Sequence, residues 1–504
     1  MTRLGAAGFR AATLASYATV GGQAIRTLVL ARILNPATFG VLNITNVASN
    51  LTVYADLGTG MHGERLAAEA RGRRDLEQSK LELIEAAGAR MLPALALGVV
   101  LGVSGAFAYG SGRQETGLPL VFLAISAPLM ALWMACRGWL HVHGQLSAIM
   151  WCQISQVVAW LTVVPVCAIL AGLPGALYSM AASYIPPILI AGRSAPVWRL
   201  ARPRWAALRR LVGHGVTLWL IQLSTFAFVN VDQAIISITG GNTALGHYAI
   251  AMLVASALAA FSDGAALSGH VKTLEQVARQ GHLSIAIPSV TTVMHTVQAG
   301  FGLLIPCAWL GAAGMIHWFL PQYYEGLPVV ALLGAGMGLV GVVVASNSAL
   351  LSVERHRVVP AVYLGGVVVK VVTTVALLSW LTPILSVAVA ALAGSAVVAV
   401  VMIALLSRAF EQPHRPFLPL LIEFLSGGFL LSAAAAVVVV TFQRYGMAGF
   451  VGASAAALVV SAAAHAVLYV FYLRRRQRAD RDGRLSTASE NTDVGSEKCS
   501  NDGS

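Results

Sequence analysis

The chain has 504 residues, of which 57% are hydrophobic and 11% are charged, and its mean hydropathy is +0.75. A soluble domain carries about twice that fraction of charged residues, so the composition excludes a soluble globular protein. The five cysteines form no CxxC pair, and they therefore indicate neither a disulfide framework nor a metal site.

Apolar segments long enough to cross a bilayer recur along nearly the whole chain. A spanning helix needs about 20 mainly apolar residues, and the short alternating segments of a transmembrane barrel are not seen. The sequence therefore predicts an all-α polytopic membrane protein with about fourteen spans. We place them at residues 11–31, 40–62, 88–108, 118–140, 147–171, 174–192, 213–238, 244–268, 288–312, 327–351, 358–381, 384–406, 418–442 and 447–473.

Lysine and arginine fall on one side of this topology. Alternate connections hold 25 of them, and the other side holds 3. The positive-inside rule then predicts that both termini are cytoplasmic. The same distribution accounts for most of the net charge of +12, so nucleic acid is not an expected partner. Residues 476–504 are polar and rich in Ser, Asp, Asn and Gly, which predicts a disordered cytoplasmic tail.

Four bases lie inside predicted spans, namely Arg26, Arg90, Arg137 and Lys370. An ionisable group in hydrocarbon costs a few kcal/mol or more unless it faces protein or a wet cavity, so such groups mark substrate or ion pathways. Arginine suits an anionic phosphate because its planar fork donates two hydrogen bonds. All four are therefore candidates for binding substrate in a cavity.

Each base also has a structural alternative. Arg26 lies in the first span and is a candidate for an ion pair with Asp232 or Asp56. Arg90 and Arg137 lie near the cytoplasmic ends of their spans, which favours side chains that extend to the interface. Lys370 lies near the middle of its span and is a candidate for binding phosphate, exchanging a proton or forming an ion pair.

Three acids are candidates for coupling or gating. Asp232 lies between Asn230 and Gln233 in a polar patch of an apolar span; a role with a cation or proton and a charge pair between two halves both remain open. Asp56 and Asp263 lie beside glycines near the internal face, where turn chemistry also explains an aspartate.

The other chemistry-bearing residues point to no enzyme. The aromatic residues mostly cluster near span ends, as in an interfacial belt, and Trp219 is the best candidate for stacking on a sugar. Hydrolase-like sets, a P-loop and a Rossmann fingerprint are not found in the sequence. We therefore expect a transporter without a cofactor or metal, driven by a gradient of H⁺ or Na⁺ or by the substrate gradient itself.

Two halves are indicated by a weak internal repeat. An offset of 206 residues places Gly40 over Gly246 and Gly58 over Gly264, and it brings Arg26 onto Asp232. Transporters are often built from such halves, with the site at their interface.

Two stretches carry a recognisable family pattern: LARILNPATFGVLNITNVASNLTVYADLGTGMHGER at Leu30–Arg65 and NVDQAIISITGGNTALGHYAIA at Asn230–Ala251. They resemble the polysaccharide (Wzx-type) flippases of the multidrug/oligosaccharidyl-lipid/polysaccharide exporter superfamily. His317–Leu333 is similar to the family's short external loop before the tenth span, and Ser346–Arg357 to the internal turn after it.

The resemblance implies two six-helix bundles around a central cavity, over residues 1–200 and 201–407, followed by two further helices over 408–475. It also implies alternating access for a lipid-diphosphate-linked oligosaccharide, moved between leaflets of a bacterial cytoplasmic membrane. Expected partners are that substrate, membrane lipids, and a polysaccharide polymerase with chain-length or export proteins. Such transporters usually carry several basic cavity residues, and few are unambiguous here. A cation-coupled drug exporter of the superfamily and a membrane polymerase or glycosyltransferase remain alternatives.

Overall fold

The structure is a computed structural model that describes the backbone of residues 3–280, 287–351, 358–409 and 417–497. Side chains are described over 18–262 except 214 and 218, over 290–350 except 348, and over 358–408, 425–464 and 467. All regular structure in these ranges is helical. The helices are α1 Arg3–Ile33, α2 Pro36–Thr52, α3 Thr59–Gly72, α4 Leu76–Gly110, α5 Gln114–Val142, α6 Leu146–Ala182, α7 Ile185–Ala191, α8 Val197–Leu200, α9 Trp205–Thr239, α10 Gly241–Gln280, α11 Ile287–Phe319, α12 Leu327–Leu351, α13 Val359–Leu377, α14 Pro383–Ala409 and α15 Phe417–Glu497, with 3-10 turns at Val53–Asp56 and Pro321–Gly326.

Ten helical segments within the described residues are long and apolar enough to cross a membrane. Two of them, Leu146–Ala191 and Leu425–Ala464, are 46 and 40 residues long, which is about twice the length that one crossing needs. Each therefore supplies two spans. The partly described α1 and the short α2 supply two more, so the predicted multi-pass all-α fold with about fourteen spans is confirmed.

Glycines make the two long segments double back. Gly172 in α6 has φ 61° and ψ −137°, and Gly446 in α15 has φ 61° and ψ −141°. Only glycine adopts this conformation without a steric penalty. Three residues later, Gly175 and Gly449 lie against backbone carbonyls of the preceding helix, where a Cβ atom would collide. The same Gly-x-x-Gly spacing thus turns the chain and lets the two arms touch.

The packing pairs helices within each half of the chain. In the first half α1 packs on α6 and α4 packs on α5, whereas in the second α12 packs on α10 and α14, and α13 packs on α9 and α14. The final helix α15 lies mainly against α11 and α12. Its backbone stays helical to Glu497, into the segment 476–504 predicted to be disordered. Only the start of that segment, at 476–479, is made of the good helix formers Arg, Gln and Ala. The predicted division into domains remains a prediction.

The two halves touch at both ends of the bundle. At one end α2 crosses α10, where Gly40 lies against the Asn242 carbonyl and Gly246 lies against the Pro36 carbonyl. The same two glycines correspond at the offset of 206 residues, so the repeat matches a pseudo-symmetric contact. At the other end Gly58 meets the Gly215 backbone on α9.

An ion pair also joins the halves at this second end. Arg210 on α9 reaches Glu82 and Glu85 on α4 at 2.6 Å each, and about half of the Arg210 side chain is exposed. By the predicted topology, this end is cytoplasmic and the crossing of α2 with α10 is external.

The predicted orientation is tested by cysteine labelling in a cysteine-free background. Ser111 and Ser194 are both exposed, and they lie in turns at opposite ends of the bundle. We expect Ser111→Cys to react with a membrane-impermeant maleimide in intact cells, and Ser194→Cys to react only after permeabilisation. Labelling of Ser194→Cys in intact cells would overturn the orientation.

The contact between α2 and α10 is tested by adding a side chain. Gly246→Val should lower the midpoint of thermal unfolding of the purified protein, because overpacking costs about 1–3 kcal/mol. The matched control is Gly311→Val on α11, where a Cβ atom meets nothing within 4 Å. Equal midpoints for the two variants would contradict the close crossing.

Candidate functional site

Asp56 closes a tight turn at the inner end of the first half. Leu57 and Gly58 have φ values of 51° and 79°, and the Asp56 carboxylate accepts hydrogen bonds from the N–H groups of Gly58 at 2.9 Å and Gly60 at 3.2 Å. It also accepts from Arg90 Nε at 2.9 Å. The carboxylate thus bonds to the N–H groups of the turn and to Arg90, so Asp56 is not the partner of Arg26.

Arg90 differs from its expected placement. The residue is 6% exposed, and its guanidinium lies over Gly60, where the missing Cβ makes room for it. The predicted extension to the interface is therefore wrong for Arg90, because the Asp56 carboxylate holds the charge inside the protein. Arg137 is half-buried on α5, and both arginines lie within electrostatic reach of Glu64. Arg90, Arg137, Asp56 and Glu64 thus lie near one another at this end of the first half.

Lys370 and Asp232 form a buried ion pair inside the second half. Lys370 Nζ donates to Asp232 Oδ2 at 2.9 Å and to the Phe228 carbonyl at 2.6 Å, and it lies 4.2 Å from the centre of the Phe228 ring. Tyr248 donates to the same carboxylate oxygen at 3.2 Å. The pair is 3% and 2% exposed, respectively, and Gly394 contacts the lysine stem.

A cavity of about 100 Å³ adjoins this pair. Its walls come from α9, α10, α12, α13 and α14, and its other lining residues are mostly apolar, such as Met252, Leu333 and Met337. Asp232 Oδ1 has no hydrogen-bond partner among the described residues. The site therefore joins a neutral ion pair to an apolar pocket, with one carboxylate oxygen left to accept a further bond.

Arg26 is buried in the first half without an acidic partner in the described part of the chain. The residue is 4% exposed, and its guanidinium carbon lies 4.9 Å from the centre of the Trp160 ring. The indole of Trp160 is fixed by a hydrogen bond of 3.0 Å to Ser183 Oγ. Arg26 Nε finds no hydrogen-bond partner among the described residues. A guanidinium held by an aromatic ring keeps its donors available for an anion.

The cavity beside Arg26 is small and partly polar. It has a volume of about 20 Å³, and Asn43 and Asn46 on α2 line it together with Leu30, Phe39, Leu42 and Met180. The predicted alternatives for Arg26, an ion pair with Asp232 or with Asp56, are both absent, because Lys370 and Arg90 hold those carboxylates.

Trp219 has a different position from the one expected of a sugar platform. Its indole N–H donates to the Tyr54 carbonyl at 2.6 Å, and its Cβ packs near Gly58. The side chain therefore joins α9 to the first half at the inner contact. The side chain of Asp263 lies outside the described residues.

An amide chain connects the halves near the centre, and the sequence reasoning recognised only its α9 members as a polar patch. Asn43 Nδ2 on α2 donates to Gln233 Oε1 on α9. Gln233 Nε2 donates to Asn230 Oδ1 at 3.2 Å, and Asn230 Nδ2 donates to the Phe226 carbonyl at 2.9 Å. The available signal was the spacing of Asn43, Asn46 and Asn50, which places three amides on one helical face.

The described side chains contain no group of three or more His, Cys, Asp or Glu residues that could hold a metal ion. The ion pairs and the amide chain are therefore the polar constellations that the helices bring together.

Solved structures with a similar fold are membrane transporters. One is a multidrug resistance MATE family transporter of the MOP superfamily in an inward-facing conformation, with TM-score 0.61 and 13% identity over 78% of this chain and 94% of that one. A second is the eukaryotic MATE transporter AtDTX14, with TM-score 0.57 and 14% identity over 85% and 100%. A third is the lipid II flippase MurJ in an inward closed conformation, with TM-score 0.57 and 11% identity over 92% and 99%.

No protein-family model and no curated protein matches the sequence. The chain therefore has the same fold as these transporters. It is an all-helical, multi-pass membrane protein with the MATE and MurJ architecture.

Proposed function

We propose that this protein is a flippase that moves a lipid-diphosphate-linked oligosaccharide from the inner to the outer leaflet of a bacterial cytoplasmic membrane by alternating access. The observation that carries the proposal is Arg26, a buried base whose Nε has no hydrogen-bond partner and which has no acidic partner in the described part of the chain. A buried charge persists only where something compensates it, and an anionic ligand is the compensation that a transporter supplies.

The other intramembrane bases favour the same assignment by elimination. Arg90 and Lys370 are each matched by a carboxylate at 2.9 Å, and Arg137 lies near Glu64. Arg26 thus remains to meet a diphosphate, and its planar fork matches phosphate oxygens. The fold supports transport rather than polymerisation, and the MurJ structure of the same fold bears the name of a lipid II flippase.

A cation-coupled drug exporter is the second candidate, because two solved structures of this fold are MATE transporters. Organic cations favour sites with an uncompensated acid. The best-placed acid, Asp232, is neutralised by Lys370, and Arg26 would repel a cation. These electrostatics favour the flippase.

The Lys370–Asp232 pair is our candidate for coupling to an ion gradient. A proton on Asp232, or a Na⁺ ion in place of the ammonium group, would release Lys370 and change the packing of α9 against α13. Substrate binding and coupling would then lie in different halves, with Arg26 on one side and this pair on the other.

Replacing Arg26 tests the substrate site. In cells that lack the chromosomal gene, Arg26→Ala should reduce polysaccharide export by roughly 10- to 100-fold, which corresponds to the loss of a charge-assisted hydrogen bond. Arg26→Lys should recover part of the activity because it keeps the charge and loses the fork. The readout is surface polysaccharide, normalised to the amount of transporter in the membrane.

Arg32→Ala is the matched control, since Arg32 is exposed on the same helix, and it should export normally. Full export by Arg26→Ala would refute the role of Arg26. If Arg26→Ala exports normally while the wild-type protein lowers the cellular accumulation of ethidium, the exporter is the better assignment.

A double-mutant cycle tests the buried pair. Asp232→Asn and Lys370→Met should each destabilise the protein by about 3–5 kcal/mol, because each leaves one charge buried and unmatched. The double variant should recover most of that loss and yet export no polymer if the pair couples transport to a gradient. Thermal unfolding in detergent measures stability, and surface polysaccharide measures function.

Additive losses of stability would contradict the ion pair. A double variant that is stable and exports at the wild-type rate would show that the pair has only a structural role and does not couple transport to a gradient.

A further inference from the structure

We propose that Asn43 and Asn46 recognise the sugar of the transported lipid, next to the diphosphate that Arg26 binds. The inference rests on the proposed function and deepens it: the cavity has an anion-binding side and a hydroxyl-binding side. The residues that bind the sugar are two asparagines of α2, at the interface with α9.

The two asparagines share a cavity with the unpaired arginine. Asn43 and Asn46 are one helical turn apart, and both line the same cavity as Arg26. A ligand whose phosphate reaches the guanidinium therefore places its next few atoms against these amides. In a lipid-diphosphate-linked oligosaccharide, those atoms belong either to the first sugar or to the start of the lipid.

The hydrogen-bonding groups of the two amides match a sugar better than a lipid chain. A carboxamide both donates and accepts hydrogen bonds, which matches hydroxyl and acetamido groups, whereas a hydrocarbon chain offers neither. Lining a lipid path with amides would instead leave polar groups unsatisfied at a cost of about 1–3 kcal/mol each. The position of the amides thus indicates that the sugar, rather than the lipid, lies beside them.

The hydrogen bonds around the site leave these amides available. Gln233 is 4% exposed and uses both ends of its amide, accepting from Asn43 and donating to Asn230. Asn43 uses its N–H group in that chain, and its own carbonyl remains to accept a bond. Asn46 makes no hydrogen bond to the described side chains. Gln233 and Asn230 therefore position Asn43, and Asn43 and Asn46 face the ligand.

A purely structural role is the competing explanation, because one hydrogen bond between halves can serve only to set their register. The structural role predicts that loss of the Asn43 amide weakens the protein without regard to the ligand. Recognition predicts a selective loss that depends on whether the ligand carries a sugar.

The test measures binding of two lipids to the full-length protein in nanodiscs: undecaprenyl diphosphate, and the same lipid carrying one N-acetylglucosamine. The wild-type protein should bind the glycosylated lipid more tightly. Asn43→Leu and Asn46→Leu should each reduce affinity for the glycosylated lipid by roughly three- to tenfold, as expected for one neutral hydrogen bond. Their affinity for the bare lipid should stay within about twofold of the wild-type value.

Asn50→Leu is the matched control, because Asn50 lies one turn beyond the cavity on the same helix and is exposed; it should bind both lipids normally. Retained binding of the bare lipid shows that a variant is folded. If Asn43→Leu fails to fold, Asn46→Leu carries the test, since it breaks no hydrogen bond to a described side chain.

Arg26→Ala separates the inference from the proposed function. If it weakens binding of both lipids while the asparagine variants affect both lipids equally or neither, the sugar site is wrong and the flippase stands. If Arg26→Ala changes neither affinity, the proposed function itself fails. A wild-type protein without preference for the glycosylated lipid also overturns the sugar site.

Discussion

A bilayer offers no partner to a buried charge, and the polar interior of this protein is arranged around that constraint. Hydrocarbon supplies neither hydrogen bonds nor counter-ions, so each ionised group must find its match inside the protein. Lys370 forms an ion pair with Asp232, and Arg90 forms one with Asp56. Arg26 departs from this pattern, because it is buried and its Nε has no hydrogen-bond partner among the described residues, which is why we assign it to an anionic ligand.

Each of these ion pairs lies within one half of the chain. Arg90 and Asp56 lie in the first half, and Lys370 and Asp232 lie in the second. A rocking motion of one half against the other therefore leaves both deeply buried pairs intact. What it must change are the contacts between the halves, which include the glycine crossing of α2 with α10, the Asn43–Gln233 hydrogen bond, the hydrogen bond from Trp219 to the Tyr54 carbonyl and the ion pair of Arg210. These contacts are small, neutral or partly solvated, so they resist motion less than a buried charge pair would.

Much of the fold could be predicted from the sequence, because hydropathy and glycine placement are local signals. The fourteen spans follow from apolar length, and the repeat that aligns Gly40 with Gly246 corresponds to a contact between those same glycines. The partners of the charged residues could not be predicted. Lys370 and Asp232 are 138 positions apart, and nothing in a helical period tells which two helices will be neighbours.

The candidate site shows the same limit. Arg26 could be identified from its position in an apolar span, but neither of the acids proposed as its partner, Asp232 and Asp56, pairs with it in the structure. Asn43 and Asn46 were overlooked because an uncharged amide in a span is a weak signal until the facing helix is known. Trp219 was selected by residue type alone, and its indole N–H proves to be used by a backbone carbonyl.

The Arg210 bridge gives the inner closure a dependence on ionic strength that the outer closure lacks. Its arginine is about half exposed, so dissolved ions screen it, with a Debye length of about 8 Å at physiological salt. The outer crossing joins backbone to backbone through glycines and carries no charge for salt to screen. With the predicted orientation and the proposed alternating access, rising cytoplasmic salt would weaken one closure and leave the other unchanged, which favours the state that is open toward the cytoplasm.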